Sequence, residues 1–146
     1  MSSSTSIKNK NDRNYYYLIV GILFILSSLA LAWRGQSSFL LITNASDFDL
    51  ASKTTIFYVW HIITAENLIF GVAFLVMSVY KDLSKVKFTA WMIALMIFAR
   101  WVVIFGSTLF QNKNSVTDTL IESIVILVFV GLIILGAREN KLSKKE

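Results

Sequence analysis

The sequence predicts an all-α membrane protein: a polytopic, antiparallel bundle of four transmembrane helices with both termini in the cytoplasm. Three observations carry that prediction. Of 146 residues, 55% are hydrophobic and only 16% charged, with a mean hydropathy of +0.64, on the membrane side of soluble composition. The apolar residues gather into four runs, each close to the roughly 20 residues needed to cross a hydrocarbon core. Lysine and arginine, finally, lie mainly on one side of those runs. There is no proline to kink a helix, and no cysteine for a disulfide, thiolate chemistry or a cysteine metal site.

Residues 1–14 begin with a Ser-, Asn- and Lys-rich stretch without periodicity and are expected as a disordered cytoplasmic tail. The first span is 15–33, with Tyr15, Tyr16 and Tyr17 at the inner interface and Trp33 at the outer one. Lys8, Lys10 and Arg13 ahead of it give the look of a signal peptide. Its core is too long for that, however, and Ala-Trp-Arg-Gly is a poor cleavage site, so an uncleaved helix is expected. Residues 34–53 form the single long connection, expected outside. Phe39-Leu40-Leu41-Ile42 would lie on the bilayer surface or cover the outer mouth of the bundle. Asn44-Ala45-Ser46 matches an N-glycosylation acceptor, a short pattern that arises often by chance. The remaining spans are 54–80, 88–109 and 116–137. The short links between them make successive helices antiparallel neighbours in an up-down-up-down bundle. Ser28 and Ala32 form a weak small-residue pattern suited to close packing. Residues 138–146 are a charged, flexible cytoplasmic end, which leaves 15–137 as one transmembrane domain.

Orientation follows from the charge count. Lys8, Lys10, Arg13, Lys81, Lys85, Lys87, Arg138, Lys141, Lys144 and Lys145 stand on one side, against Arg34, Lys53 and Lys113 on the other. Ten against three places both termini in the cytoplasm. The net charge of +5 would suggest nucleic acid in a soluble chain. Here the basic residues flank apolar spans, so the partner they imply is the lipid bilayer, in a bacterial-type plasma membrane, and no nucleic acid is expected.

Within the spans stand Glu66, Arg100 and Glu122, together with His61, the single histidine. A central charge costs roughly 2.5–3.5 kcal/mol on insertion scales, so such groups are expected to face inward and find partners. From the 1.5 Å rise, His61, Arg100 and Glu122 fall about 9–12 Å from the outer face, and Glu66 about one turn deeper. Asp118 shares a face with Glu122, and Asn67 adds an amide on the side away from Glu66. One arginine cannot cancel two carboxylates, so one acid is either held protonated or balanced by a protonated His61. Tyr58, Trp60 and Trp101 lie near this layer, as pocket lining or as interfacial and packing residues. One histidine and no cysteine make a poor metal site even with Met92 and Met96 nearby, and no cofactor is expected.

Trp60-His61, then Glu66-Asn67 and Gly71 on the second span, together with Arg100, resemble small DoxX-like membrane proteins, the BphX-like group most nearly. The resemblance implies a compact four-helix membrane bundle, a fold sometimes associated with redox or aromatic-compound metabolism. It does not extend to Glu122 or the long outer connection. A looser likeness to sterol-isomerase-type bundles rests on acids and a histidine in an apolar setting, but this chain has one helix fewer.

The function these residues favour is binding of a small hydrophobic or amphiphilic molecule. Arg100 would anchor its carbonyl or anionic group, and His61 and Glu66 would hydrogen-bond it. An accessory subunit is the next reading, its polar groups being structural or pairing with a membrane partner or a second copy. An acid–base enzyme, with Glu66 or Glu122 as base and His61 as acid, and a proton pathway follow. No G-x-S-x-G, H-E-x-x-H or phosphate loop is present, and no catalytic residue is identified.

Overall fold

The computed structural model describes residues 13–44, 49–80, 82–111 and 116–138, without the side chains of 39–44, 83, 111 and 116–118. Residues 1–12 and 139–146, and the Asn44-Ala45-Ser46 acceptor, lie outside what is described, as do the side chains of Phe39-Leu40-Leu41-Ile42. Four helices make up the described chain: α1 (Tyr15–Asn44), α2 (Leu50–Ser78), α3 (Leu83–Gln111) and α4 (Val116–Arg138). All four are long and apolar enough to cross a membrane.

Three helices run further than the apolar runs suggest. The expected connection from residue 34 is instead helical as far as Asn44, so α1 has 30 residues and a length of about 45 Å. Arg34-Gly35-Gln36-Ser37-Ser38 interrupts the hydrophobicity without interrupting the helix. It holds no proline, and Ser37 Oγ bonds back to the Trp33 carbonyl at 3.2 Å, as helical serines do. In the same way α2 begins at Leu50, ahead of the expected 54, because Asp49 caps it by accepting from the Ser52 N–H at 3.3 Å. Hydrogen bonding from Ser52, its side chain foremost and its main-chain N–H with it, holds the Asp49 carboxyl below its ordinary range. The start of α3 at Leu83 also precedes the expected 88.

α1 packs most extensively on α2, α3 next on α4, then α1 on α4; α2 and α3, though consecutive, touch only slightly. Sequential neighbours are therefore not equivalent. Two helix pairs join through α1 and α4, and the seam between α2 and α3 stays largely open. The α1–α2 seam is built on small residues seven apart, Gly21, Ser28 and Gly35, a spacing that keeps one stripe facing a partner helix. Gly21 meets Gly71, where a Cβ would come within 2.9 Å of the Gly71 carbonyl oxygen. Ser28 Oγ donates to the Thr64 carbonyl at 2.9 Å, and Trp60 Nε1 to the Leu31 carbonyl at 2.8 Å. At Gly35 the Trp60 indole lies flush on the backbone, and a Cβ there would overlap it. Residue numbers thus rise along α1 as their partners' fall along α2.

The core occupies one half of the assembly. Tyr17, Val20 and Phe24 of α1, Phe74 and Met77 of α2, Ala90, Ile93 and Ile97 of α3, and Phe129 and Ile133 of α4 are buried together. Phe24 is central, meeting Phe129 edge-on at 4.6 Å and stacking on Phe74 at 6.0 Å between ring centroids. Asn14, placed in the tail by its sequence neighbours, is instead 1% exposed and closes the end of this core. Its Oδ1 accepts the Tyr17 N–H at 3.1 Å, its Nδ2 donates to the Gly136 carbonyl at 2.8 Å, and its N–H donates to the Ser78 carbonyl at 3.0 Å. The Asn14 side chain thereby caps α1 and ties it to the last turn of α4, and its main-chain N–H ties it to the last turn of α2, at carbonyls that lack intrahelical partners.

Candidate functional site

Asn67 and Ile97 are buried at the edge of the core, beside the open α2–α3 seam. Arg100 on α3 reaches across it to α2. Its Nη2 donates to Asn67 Oδ1 at 3.0 Å, and its Nη1 lies 3.8 Å from Glu66 Oε2. The first is a hydrogen bond; the second is an ion pair too long to be one. Nη1 is buried and has no hydrogen-bond partner among the described protein groups. The Glu66 side chain is 44% exposed and that of Arg100 24%, whereas Asn67 is buried. Asn67 is therefore the fixed member of the trio and Glu66 the movable one.

Beside these groups lies a cavity of about 330 Å³, lined by Glu66, Phe70, Met96, Ile97, Ala99 and Arg100. That is the lower end of the range for small-molecule pockets. The helical period explains its make-up: Phe70 lies four residues after Glu66, and Met96 four before Arg100, so each apolar residue stands on the same face as its polar neighbour. Met96 and Ala99 are exposed on its outer side, so the cavity opens sideways from the helix assembly. Phe70 was not anticipated from the sequence, although its i+4 relation to Glu66 would have found it.

The expected layer is rearranged in three respects. Glu66 and Asn67 are level with Arg100, and His61 is the outlier, about 7.5 Å further along α2. Depth counted along a helix axis places Cα atoms and takes the helix ends as level, whereas the Arg100–Asn67 contact is made at the tip of a long side chain. Asn67 also points the same way as Glu66, both oxygens meeting one guanidinium. Last, the four groups are not a buried network: no charged residue among those described is fully buried, Glu66, Arg100 and His61 being intermediate and Glu122 exposed. His61 packs edge-on against Phe57, 4.3 Å between centroids, outside the cavity. Glu122 is turned away because its neighbour Ser123 takes the inward position. The Asp118 side chain lies outside the described residues.

The aromatic candidates serve other contacts. Trp101 Nε1 donates to Ser123 Oγ at 2.7 Å, and its ring stacks on Phe105 at 5.5 Å, which joins α3 to α4. Trp60 joins α2 to α1, and Tyr58 is exposed. Among the described residues no group of three or more His, Asp or Glu stands close enough to hold a metal ion.

No protein-family model, curated protein or solved structure matches this chain.

Proposed function

We propose that the chain is a multi-pass membrane protein that binds a small hydrophobic or amphiphilic molecule in the α2–α3 cavity, with the polar end of the ligand at Arg100. The carrying observation is Arg100 Nη1: a buried cationic donor without a hydrogen bond among the described groups, beside a largely apolar cavity with Met96 and Ala99 exposed at its edge. A donor in that position gains a hydrogen bond from a ligand acceptor, and charge-assisted bonds are the stronger kind. Phe70, Met96, Ile97 and Ala99 offer the ligand's body an apolar wall. The helices would form an antiparallel membrane bundle, and the ten-to-three lysine and arginine bias supports cytoplasmic termini in a plasma membrane.

Extraction of the protein in native lipid particles, followed by mass spectrometry of co-purifying molecules, tests this reading. Wild type should retain an amphiphile that Arg100→Gln and Ala99→Trp both lose. Retention unchanged by both substitutions would place the ligand elsewhere and refute it.

A second reading, that of an accessory subunit or self-assembling chain, is favoured by Glu122. It is exposed on α4 beside exposed Ile121 and Val125, a carboxyl on an otherwise apolar outward face. If a partner helix meets it, Glu122→Leu should dissolve a complex seen by cross-linking in membranes. If none does, the substitution should stabilise the isolated chain. Acid–base catalysis has less support, since His61 packs on Phe57 and does not line the cavity. A DoxX-like affiliation is likewise a proposal resting on the sequence pattern, two residues of which, Trp60 and Gly71, pack α2 on α1.

A further inference from the structure

The proposed binding site has a charge and donor pattern that narrows the chemistry of its ligand. From it we infer that the cavity takes a neutral amphiphile carrying a hydroxyl group, with the hydroxyl bridging Arg100 and Glu66. This rests on the reading of the α2–α3 cavity as a binding site and specifies what fills it.

Arg100 and Glu66 are the two ionisable groups lining the cavity, and their formal charges cancel. A carboxylate or phosphate ligand would bring a second anion to one guanidinium and set it against Glu66 in an apolar setting, where an unmatched charge is costly. A cationic ligand would meet the same difficulty from Arg100. Neutral ligands do not.

Hydrogen-bonding capacity then separates neutral ligands from one another. Arg100 Nη1 has protons to donate and no acceptor, while Glu66, when ionised, has lone pairs and can only accept. An ester or ketone would satisfy Nη1 alone. A hydroxyl accepts from Nη1 and donates to Glu66 Oε2, so it satisfies both.

The distance between the two groups permits this. Hydrogen bonds of about 2.9 Å to nitrogen and about 2.7 Å to oxygen span the present 3.8 Å with an angle near 85° at the hydroxyl oxygen. Withdrawal of the carboxylate by less than about 1 Å opens that angle to a tetrahedral value while keeping both bonds. Glu66, with its half-exposed side chain, is free to make that adjustment, whereas Asn67 holds the far side of the guanidinium in place. Because Nη1 is sealed, the ligand enters by moving the Glu66 side chain aside, and the hydroxyl then becomes its new partner.

The test uses the full chain in lipid nanodiscs, labelled by a photoreactive long-chain alcohol and mapped by peptide mass spectrometry. The competitors share one chain length: decanol, decanoate and methyl decanoate, at neutral pH. Saturable labelling of the 66–70 and 96–100 segments, displaced by decanol at least tenfold more effectively than by either other compound, is the expected result. Glu66→Gln should abolish the preference for decanol over the methyl ester, and Arg100→Lys should weaken all labelling. Competition on the wild-type protein needs no variant, so a misfolded substitution leaves the test intact. Equal or better displacement by decanoate or the ester overturns the hydroxyl assignment while leaving a binding cavity. Labelling that does not saturate, or that maps away from these segments, overturns the binding reading itself.

Discussion

Replacing Asn14 with alanine removes the cap of α1 and its tie to α4 in one step, while the main-chain bond from residue 14 to Ser78 is kept. The side chain makes two hydrogen bonds, to the Tyr17 N–H and to the Gly136 carbonyl. Each is worth about 1 kcal/mol net, and the loss of an Asn cap, typically about 1 kcal/mol, is the same event as loss of the Tyr17 bond and is not added again. Removing a partner from a buried site adds about 1–3 kcal/mol for the group left unpaired, here the Gly136 carbonyl. The expected destabilisation is therefore about 3–5 kcal/mol, or at least about a 100-fold change in the unfolding constant at 1.4 kcal/mol per decade. Reversible unfolding in mixed micelles of dodecyl maltoside and sodium dodecyl sulfate, followed by far-ultraviolet circular dichroism, measures it. Asn14→Asp keeps the acceptor for Tyr17 and loses the donor to Gly136, so it isolates the tie between helices from the cap. Arg13→Ala, one residue away and exposed, should be neutral. An Asn14→Ala protein within about 0.5 kcal/mol of wild type would show that the two side-chain bonds of Asn14 do not hold these helix ends.

Three further outcomes are expected. Gly35→Ala should displace the Trp60 indole and shift its fluorescence; paired with Trp60→Ala, it should cost less than the sum of the two single changes, since the clash disappears with the ring. Asn67→Leu strips Arg100 Nη2 of its acceptor and should cost about 1.5–3 kcal/mol in the same micelle titration, with Arg100→Leu added to it recovering part of the loss. The Asp49 carboxyl is depressed on folding, so its contribution to α2 is complete above the ordinary carboxylate range and is lost as pH falls through the lower folded value. Helicity of the first turn of α2 should therefore fall in acid in wild type, whereas Asp49→Asn, an uncharged cap, should show no such step by amide exchange.

What could be read from the sequence divides by the range of the interaction. Hydropathy reports on runs of neighbours, so the four helices and their apolar character were plain, as was the expense of Arg100 among them. Helix ends depend instead on single capping contacts. The Asp49 cap and the continuation of α1 through Gly35-Gln36-Ser37-Ser38 leave little trace in hydropathy, because a polar stretch without proline is as compatible with helix as with loop. Levels counted along a helix place Cα atoms, and the long Arg100 side chain makes its contacts with Glu66 and Asn67 at its tip, a reach that residue counting does not carry. The α1 stripe of Gly21, Ser28 and Gly35 is legible in principle, at a spacing of seven, and shares Ser28 with the weaker Ser28–Ala32 spacing of four. Asn14 had no such signal. Its burial comes from carbonyls at Ser78 and Gly136, far away along the chain. Nor does a charge in an apolar span reveal the side it faces: Glu122 looks outward only because Ser123 is held inward by Trp101.

The sideways opening of the α2–α3 seam changes the units in which this site should be discussed. On the proposed reading, with the helices in a bilayer, a ligand that reaches Arg100 past Met96 and Ala99 would come from the surrounding lipid and never cross bulk water. Occupancy then follows the fraction of membrane molecules that are ligand, and an aqueous dissociation constant would mix partitioning with recognition. Two ligands of equal intrinsic fit but different chain length would look very different in a water-based titration and alike when compared per lipid. The same route makes the host lipid a competitor at every moment, so selectivity at the Arg100–Glu66 pair is a contest against the bilayer and not against an empty cavity.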